Sequence, residues 1–167
     1  FFCQNFFQDE TRGIMFNKLT TARKLIGYVP QKNKNDIHFP ATVLEVVLMG
    51  LYAQIGWFKS VKKLHIEKAM SALEKVGVSE LYNRPIGELS GGQLQKVMIA
   101  RALAPNPKIL LLDEPTASID VYAQNIILET LEKLNKENKI TVIMISHDIN
   151  EIVHFCDKIL LLNNAFY

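Results

Sequence analysis

The sequence predicts an α/β fold built on a parallel β-sheet. Residues 109–112 and 141–145 are aliphatic without alternation, which is typical of parallel strands buried on both faces. A helical pattern separates them, and this strand–helix–strand order favours right-handed crossovers. Residues 25–29 form a third candidate strand, which Pro30 stops.

Composition is consistent with one globular domain. The 167 residues are 49% hydrophobic and 22% charged, and the net charge of +2 is too small to indicate nucleic acid or an anionic membrane as partner. Cys3 and Cys156 lack the spacing of a zinc site or disulfide framework and are expected to be thiols of a reducing compartment. No apolar run approaches the ~20 residues of a membrane span. Because the chain lacks an initiator Met, we do not expect its start to be the natural one.

The first part of the chain supplies short elements and a boundary. Residues 1–7 are expected to end a helix, and residues 14–16 could form a short strand. Gln31 follows the strand at residues 25–29. Residues 32–38 are a polar linker and therefore the best candidate for a subdomain boundary.

The next part of the chain is predicted to be helical. Thr42 caps a helix over residues 43–55, and a second helix covers residues 61–76 and stops at Gly77. The predicted apolar stripe of the second helix contains Leu64, Ala69, Leu73 and Val76. Trp57 and Phe58 are interpreted as packing residues, because large aromatic side chains usually serve cores or interfaces.

A glycine-containing capping box opens the helix predicted at residues 91–104. Ser90 is a favoured N-cap residue, and Gln93 completes the S-x-x-Q pattern. Gly91 and Gly92 lack a Cβ atom, so a bulky group could approach the first turn closely. A helix start that is open in this way can bind an anion.

A pair of carboxylates follows the strand at residues 109–112. Asp113 and Glu114 stand at its carboxyl end, where open α/β sheets place their ligands. Asp120 then caps a helix predicted over residues 121–138, and His147 follows the strand at residues 141–145. The remaining predictions are a short helix at 149–155, a strand at 158–162 and a turn at Asn163 and Asn164.

Each of these features also has a structural interpretation. A capping box is often only a helix start, and an Asp-Glu pair is often only the end of a strand. Asp120 could be a plain N-cap, His147 a structural residue and Gln31 an ordinary surface residue. The residues alone leave these alternatives open.

Together and in this order, the motifs resemble those of ABC-type ATPases. The string LSGGQ at residues 89–93 resembles their signature motif, and LLLDE at 110–114 resembles their Walker B motif. Gln31 in IGYVPQ is similar to the Q-loop glutamine, Asp120 to the D-loop aspartate and His147 to the switch histidine. The resemblance covers residues 13–162.

The resemblance implies a P-loop NTPase (RecA-like) parallel sheet with an inserted helical ABC subdomain, incomplete at both ends. Residues 1–35 and 105–167 would form a partial ATPase core, and residues 36–104 the helical subdomain that carries the signature motif. The implied cofactors are ATP and Mg²⁺.

The resemblance also implies a role for each matching residue. Glu114 would be the general base for the attacking water, with His147 and Gln31 completing the surroundings of the γ-phosphate. Asp113 and Gln31 would hold Mg²⁺. In a head-to-tail dimer, the implied nucleotide-contacting residues are Ser90, Gly91, Gly92, Gln93 and Asp120.

One expected motif is missing from the 167 residues. The spacing G-x-x-x-x-G-K-S/T of a P-loop, whose backbone and Lys hold the phosphates, occurs nowhere in the sequence. We therefore expect this chain alone to bind ATP weakly or not at all.

The segment FPATVLEVVLMGLYAQIGWFK at residues 39–59 resembles zinc/manganese/iron-type metal importers of the ABC family. This resemblance implies an ATP-hydrolysing motor subunit at the cytoplasmic face of the plasma membrane. Its implied partners are a second ATPase subunit, integral membrane permease subunits and, indirectly, an extracytoplasmic solute-binding protein, with no nucleic acid.

Two alternatives stay open. One is a soluble ABC-type ATPase, and the other is a non-catalytic fragment that only supplies a signature motif to a complete partner.

Overall fold

A computed structural model describes residues 25–31, 40–56, 59–148 and 153–160. Several sequence-based predictions lie outside these residues. They are the helix end at 1–7, the strand at 14–16, the whole polar linker at 32–38, the packing of Trp57 and Phe58, most of the helix at 149–155, and the turn at Asn163 and Asn164.

The described chain contains a parallel three-stranded sheet, as the sequence predicts. Its strands are β1 (Ile26–Val29), β2 (Ile109–Asp113) and β3 (Thr141–Ile145), and β2 lies between the other two. In the register, Val29 pairs with Leu112 and Leu112 with Met144. The carboxyl ends of the three strands therefore meet at one edge of the sheet.

Helices form both connections. Between β1 and β2 the chain forms α1 (Val43–Met49), α2 (Tyr52–Ile55), α3 (Lys63–Lys75) and α4 (Gly91–Leu103). The helix α5 (Val121–Asn138) connects β2 to β3 and confirms the helix predicted there. None of the helices in the described ranges is long and apolar enough to cross a membrane.

The single helix predicted over residues 43–55 is wrong, because the structure divides it into α1 and α2. At the junction the hydrogen bonds change to the 3₁₀ type, from residue i to residue i−3. The Gly50 amide donates to the Val47 carbonyl (3.0 Å), and the Leu51 amide donates to the Leu48 carbonyl (2.9 Å). Gly50 also lies directly against the carbonyl oxygen of Arg101 in α4, only 2.1 Å from the position that a Cβ atom would occupy. The junction therefore needs glycine.

Capping at the start of α1 agrees with the sequence. The Thr42 hydroxyl accepts the Glu45 amide, and the Glu45 carboxylate accepts the Thr42 amide at 2.8 Å. The hydrogen bond from the Thr42 backbone lowers the pKa of Glu45.

Helix α3 starts two residues later than predicted, and part of its predicted apolar stripe is wrong. Ala69, Leu73 and Val76 are buried, but Leu64 in the first turn is 57% exposed. The helical period placed Leu64 on the inner face, whereas the described core begins one turn further along.

The hydrophobic core lies on one face of the sheet. Leu110, Leu112 and Val29 are fully buried there and belong to one cluster with the inner faces of α1, α3, α4 and α5. Gly27 brings β1 so close to α4 that a Cβ atom would lie 2.5 Å from the Ala102 carbonyl oxygen. The sheet and the helices therefore share one continuous core.

The opposite face of the sheet, here named the open face, is only partly covered. It includes Ile26, Tyr28, Ile143 and Ile145 of the outer strands, which are 45%, 51%, 48% and 53% exposed, and Ile109 and Leu111 of the central strand, which are partly buried. The prediction that β2 and β3 are buried on both faces is therefore wrong within the described residues. The sequences of the two strands do not indicate which face is less buried by the described residues.

The strand predicted at residues 158–162 is also not found in its described part. Residues 158–160 have no regular structure, and Leu160 is 82% exposed. Residues 161 and 162 lie outside the described ranges.

Candidate functional site

Three predicted site residues meet at the carboxyl edge of the sheet. Gln31 follows β1, Glu114 follows β2 and His147 follows β3. Because the strands are parallel and in register, their ends place these side chains beside one another.

The Glu114 carboxylate is the centre of this group, here named the carboxylate cluster (Gln31, Glu114 and His147). The Gln31 side-chain amide donates a hydrogen bond to Oε2 of Glu114. Nδ1 of His147 lies 3.0 Å from Oε1 of Glu114. Each carboxylate oxygen therefore has one side-chain partner. The Glu114 side chain is 25% exposed and that of His147 is 77% exposed, so a ligand can reach the cluster from solvent.

The backbone at Glu114 is unusual for a residue with a side chain. Its φ is +46°, in the left-handed region that favours glycine. Two backbone hydrogen bonds hold this conformation: the Glu114 amide donates to the Ile145 carbonyl at 2.9 Å, and the Ala117 amide donates to the Glu114 carbonyl at 3.1 Å. Residues in such conformations persist where the surroundings fix them, and they cluster at functional sites.

Asp113 is the last residue of β2 and is half-buried. The residue types present suit Mg²⁺, which prefers carboxylate and amide oxygens. Since the amide nitrogen of Gln31 faces Glu114, its oxygen is the atom left for a cation or water. The described residues contain no group of three or more His, Cys, Asp or Glu arranged to hold a metal. Because Mg²⁺ retains much of its hydration shell, an ion at these residues would take much of its coordination from water or a bound phosphate.

The loop after the cluster ends in the predicted cap. Oδ1 of Asp120 accepts the Ala123 amide at 2.9 Å, so the N-cap interpretation of Asp120 is confirmed. A hydrogen bond between two residues that the sequence analysis did not single out also holds this loop. The side-chain amide of Gln124 in α5 donates to the carbonyl of Thr116 at 3.1 Å, and Thr116 is only 4% exposed.

The capping box predicted at the start of α4 is confirmed. The Ser90 hydroxyl accepts the Gln93 amide at 3.3 Å, and the Gln93 side-chain oxygen accepts the Ser90 amide at 3.0 Å. Ser90 and Gly91 are exposed. A Cβ atom on Gly92 would lie 2.9 Å from Cβ of Ala123, so Gly92 also permits close contact between the starts of α4 and α5. Gly92 thus lies against the helix that Asp120 caps.

Comparison with known proteins identifies the family. Residues 6–117 match the family described as ABC transporter. The chain is 45% identical over 145 residues to a manganese transport system ATP-binding protein of Listeria monocytogenes, covering 87% of this chain and 60% of that protein. It is 43% identical over 147 residues to the ATP-binding protein of a high-affinity zinc uptake system of Bacillus subtilis, covering 86% and 62%.

A solved structure shows the same relationship. A dimeric ATP-binding cassette in a post-hydrolysis state, bound to ADP and Pi, superposes with a TM-score of 0.60 at 34% identity, covering 81% of this chain and 58% of that one. The chain spans about three fifths of the length of these proteins. The family match and the identity to both transport ATP-binding proteins show that this chain belongs to the ABC transporter family.

Proposed function

We propose that this chain is part of an ATP-hydrolysing motor subunit. The observation that carries the proposal is the carboxylate cluster, in which Glu114 is held at both oxygens by Gln31 and His147. A positioned carboxylate with a partner on each side suits a general base, because its direction towards an attacking water is fixed.

In this proposal, Glu114 takes the proton of the water that attacks the γ-phosphorus of ATP, while the bond from phosphorus to the ADP oxygen breaks. His147 contacts the γ-phosphate, and the Gln31 oxygen faces the water or the metal. Asp113 and Gln31 would hold Mg²⁺, which would supply charge compensation for the phosphates when bound.

A second copy completes the site in this proposal. Ser90 and Gly91 are exposed at the start of α4, where an anion can be bound, and Gln93 and Gly92 keep that start ordered and close to α5. They would meet a nucleotide held by the partner subunit, with Asp120 near the shared interface. The dimeric cassette with ADP and Pi supports this arrangement by similarity.

The transported substrate is proposed to be a divalent metal ion. The support is the similarity to the manganese and zinc transport ATP-binding proteins. The partners then include integral membrane permease subunits and, indirectly, an extracytoplasmic solute-binding protein. The subunit itself would lie peripherally at the cytoplasmic face of the plasma membrane.

Two measurements test the motor function. We expect the complete product of the gene to hydrolyse ATP with Mg²⁺ and to lose this activity on Glu114→Gln, which keeps the shape of the side chain but removes the base. Activity that survives this substitution would overturn the assignment of Glu114. Residues 1–167 alone, which contain no P-loop motif, are expected to bind ATP weakly or not at all.

A second candidate function follows from the same missing motif. A chain without a P-loop could still offer Ser90–Gly92 to a nucleotide held by a complete partner. Mixing residues 1–167 with a P-loop-containing relative distinguishes the two. Stimulation of the relative's ATPase that is lost on Ser90→Arg favours the second candidate, whereas activity of the complete gene product by itself favours the first.

A further inference from the structure

A hydrogen bond outside the carboxylate cluster fixes the turn that carries Glu114. The turn runs from Glu114 to the cap at Asp120 and contains a second left-handed residue, Ser118 (φ +60°). A turn with two such residues is held by its surroundings. In its middle, the Thr116 carbonyl accepts the Gln124 side-chain amide from the end of the first turn of α5.

The same end of α5 lies against the start of α4, here named the signature helix because residues 89–93 resemble the signature motif. Ala123 neighbours Gln124 in sequence, and its Cβ would be 2.9 Å from a Cβ atom on Gly92. This close approach leaves no room for a side chain on Gly92, so a shift of the start of α4 towards α5 would press on Ala123 and hence on α5. A shift of α5 would in turn pull on Thr116 through Gln124.

We propose that Gln124 is a positioning residue for Glu114. Its hydrogen bond to Thr116 holds the turn that sets the direction of the Glu114 side chain. Because the neighbouring Ala123 packs against Gly92, the direction of Glu114 also depends on the position of the signature helix of the same chain. This inference rests on the proposed function for its catalytic consequence. Its structural part is independent of that function, because it concerns hydrogen bonds and contacts that need no nucleotide.

The first test removes the donor from residue 124. Methionine has a side chain of similar length to glutamine and is also a good helix former, but it cannot donate a hydrogen bond to the Thr116 carbonyl. Gln124→Lys restores a hydrogen-bond donor at this position. Asn125→Met is the matched control, because Asn125 is exposed on the same turn of α5. In the complete gene product, we expect Gln124→Met to lower kcat about tenfold with KM within about twofold, since misplacement of a catalytic group affects the chemical step. Gln124→Lys should recover most of kcat, and Asn125→Met should not change it.

The second test does not depend on catalysis. Hydrogen exchange of the Ala117 amide, which donates to the Glu114 carbonyl, reports opening of the turn. Without nucleotide, its exchange should quicken about tenfold in Gln124→Met and remain slow in Gln124→Lys and Asn125→Met. It should also quicken in Gly92→Ala, and the added change Ala123→Gly should restore slow exchange because it makes room for the new methyl group.

The outcomes separate this inference from the proposed function. Unchanged Ala117 exchange in Gln124→Met, or equal effects of Gln124→Met and Asn125→Met on kcat, would overturn the role of Gln124. Failure of Ala123→Gly to rescue Gly92→Ala would overturn the connection to the signature helix. If the complete product has no ATPase activity, the proposed function fails, and the exchange measurements still decide the role of Gln124.

Discussion

Glu114 combines a catalytic type of side chain with a backbone conformation that glycine adopts more readily. Its φ of +46° costs a residue with a Cβ atom roughly 1–2 kcal/mol. The carboxylate makes two side-chain contacts, with Gln31 and His147, which offset part of this conformational cost.

The left-handed backbone at residue 114 predicts that a glycine variant is more stable than an alanine variant. Glu114→Ala and Glu114→Gly both remove the carboxylate, but we expect the Gly variant to have the higher free energy of unfolding, by about 1 kcal/mol, because glycine relieves the strain. Urea denaturation of both variants measures the difference. Ala117, whose φ is not positive, is the control: Ala117→Gly should instead lower the free energy of unfolding by about 0.4–1 kcal/mol. An Ala variant as stable as the Gly variant at residue 114 would contradict the prediction.

The members of the cluster could be predicted from the sequence, and its supports could not. Gln31, Glu114 and His147 each follow a recognisable strand, and parallel strands bring such residues together. Gln124 and Thr116 meet through a backbone carbonyl, and no pattern of side-chain types marks that contact. The positive φ of Glu114 is equally invisible, because the residue type there argues against it.

At the scale of the elements, the two faces of the sheet differ sharply. Leu110 is fully buried against the helices, whereas Ile143 on the open face is 48% exposed. The sequence could not reveal this difference, because residues 109–112 and 142–145 are all apolar and do not alternate with polar residues. The burial of one face depends on which layers pack against it, and that is set by the tertiary structure.

The two faces should respond differently to truncation. We expect Leu110→Ala to lower the free energy of unfolding by about 2–5 kcal/mol, because it leaves a cavity in the core. Ile143→Ala should cost about 1 kcal/mol or less, since much of that side chain is already in water. Denaturation curves in urea give both values. Similar costs at the two positions would mean that the open face is covered in solution.

At the scale of the whole molecule, one continuous hydrophobic core includes residues of both predicted subdomains. Leu73 in α3 and Leu110 in β2 belong to the same hydrophobic cluster. Gly27 lets β1 contact α4 directly, and Gly50 does the same for the end of α1. The boundaries at residues 36 and 104 stay a prediction.

The continuous core predicts one cooperative unfolding transition. Methyl NMR signals of Leu73 and Leu110 should disappear at the same denaturant concentration. Gly27→Ala should lower that concentration for both signals, since its Cβ would lie 2.5 Å from the Ala102 carbonyl oxygen, and such overpacking costs about 1–3 kcal/mol. Two separate transitions in the unmodified protein would show that the predicted subdomains fold independently.

The carboxylate cluster joins distant parts of the chain, and this has a consequence for when it forms. Gln31 and Glu114 are separated by 83 positions, and Glu114 and His147 by 33. A ribosome must therefore release the whole of the helical connection before the first contact is possible, and α5 and β3 before the second. Since loops of this length close late in folding, the Glu114 side chain acquires its final direction only when the three-stranded sheet is complete. A nascent chain that stops short of His147 has every other residue of the cluster and still lacks the site.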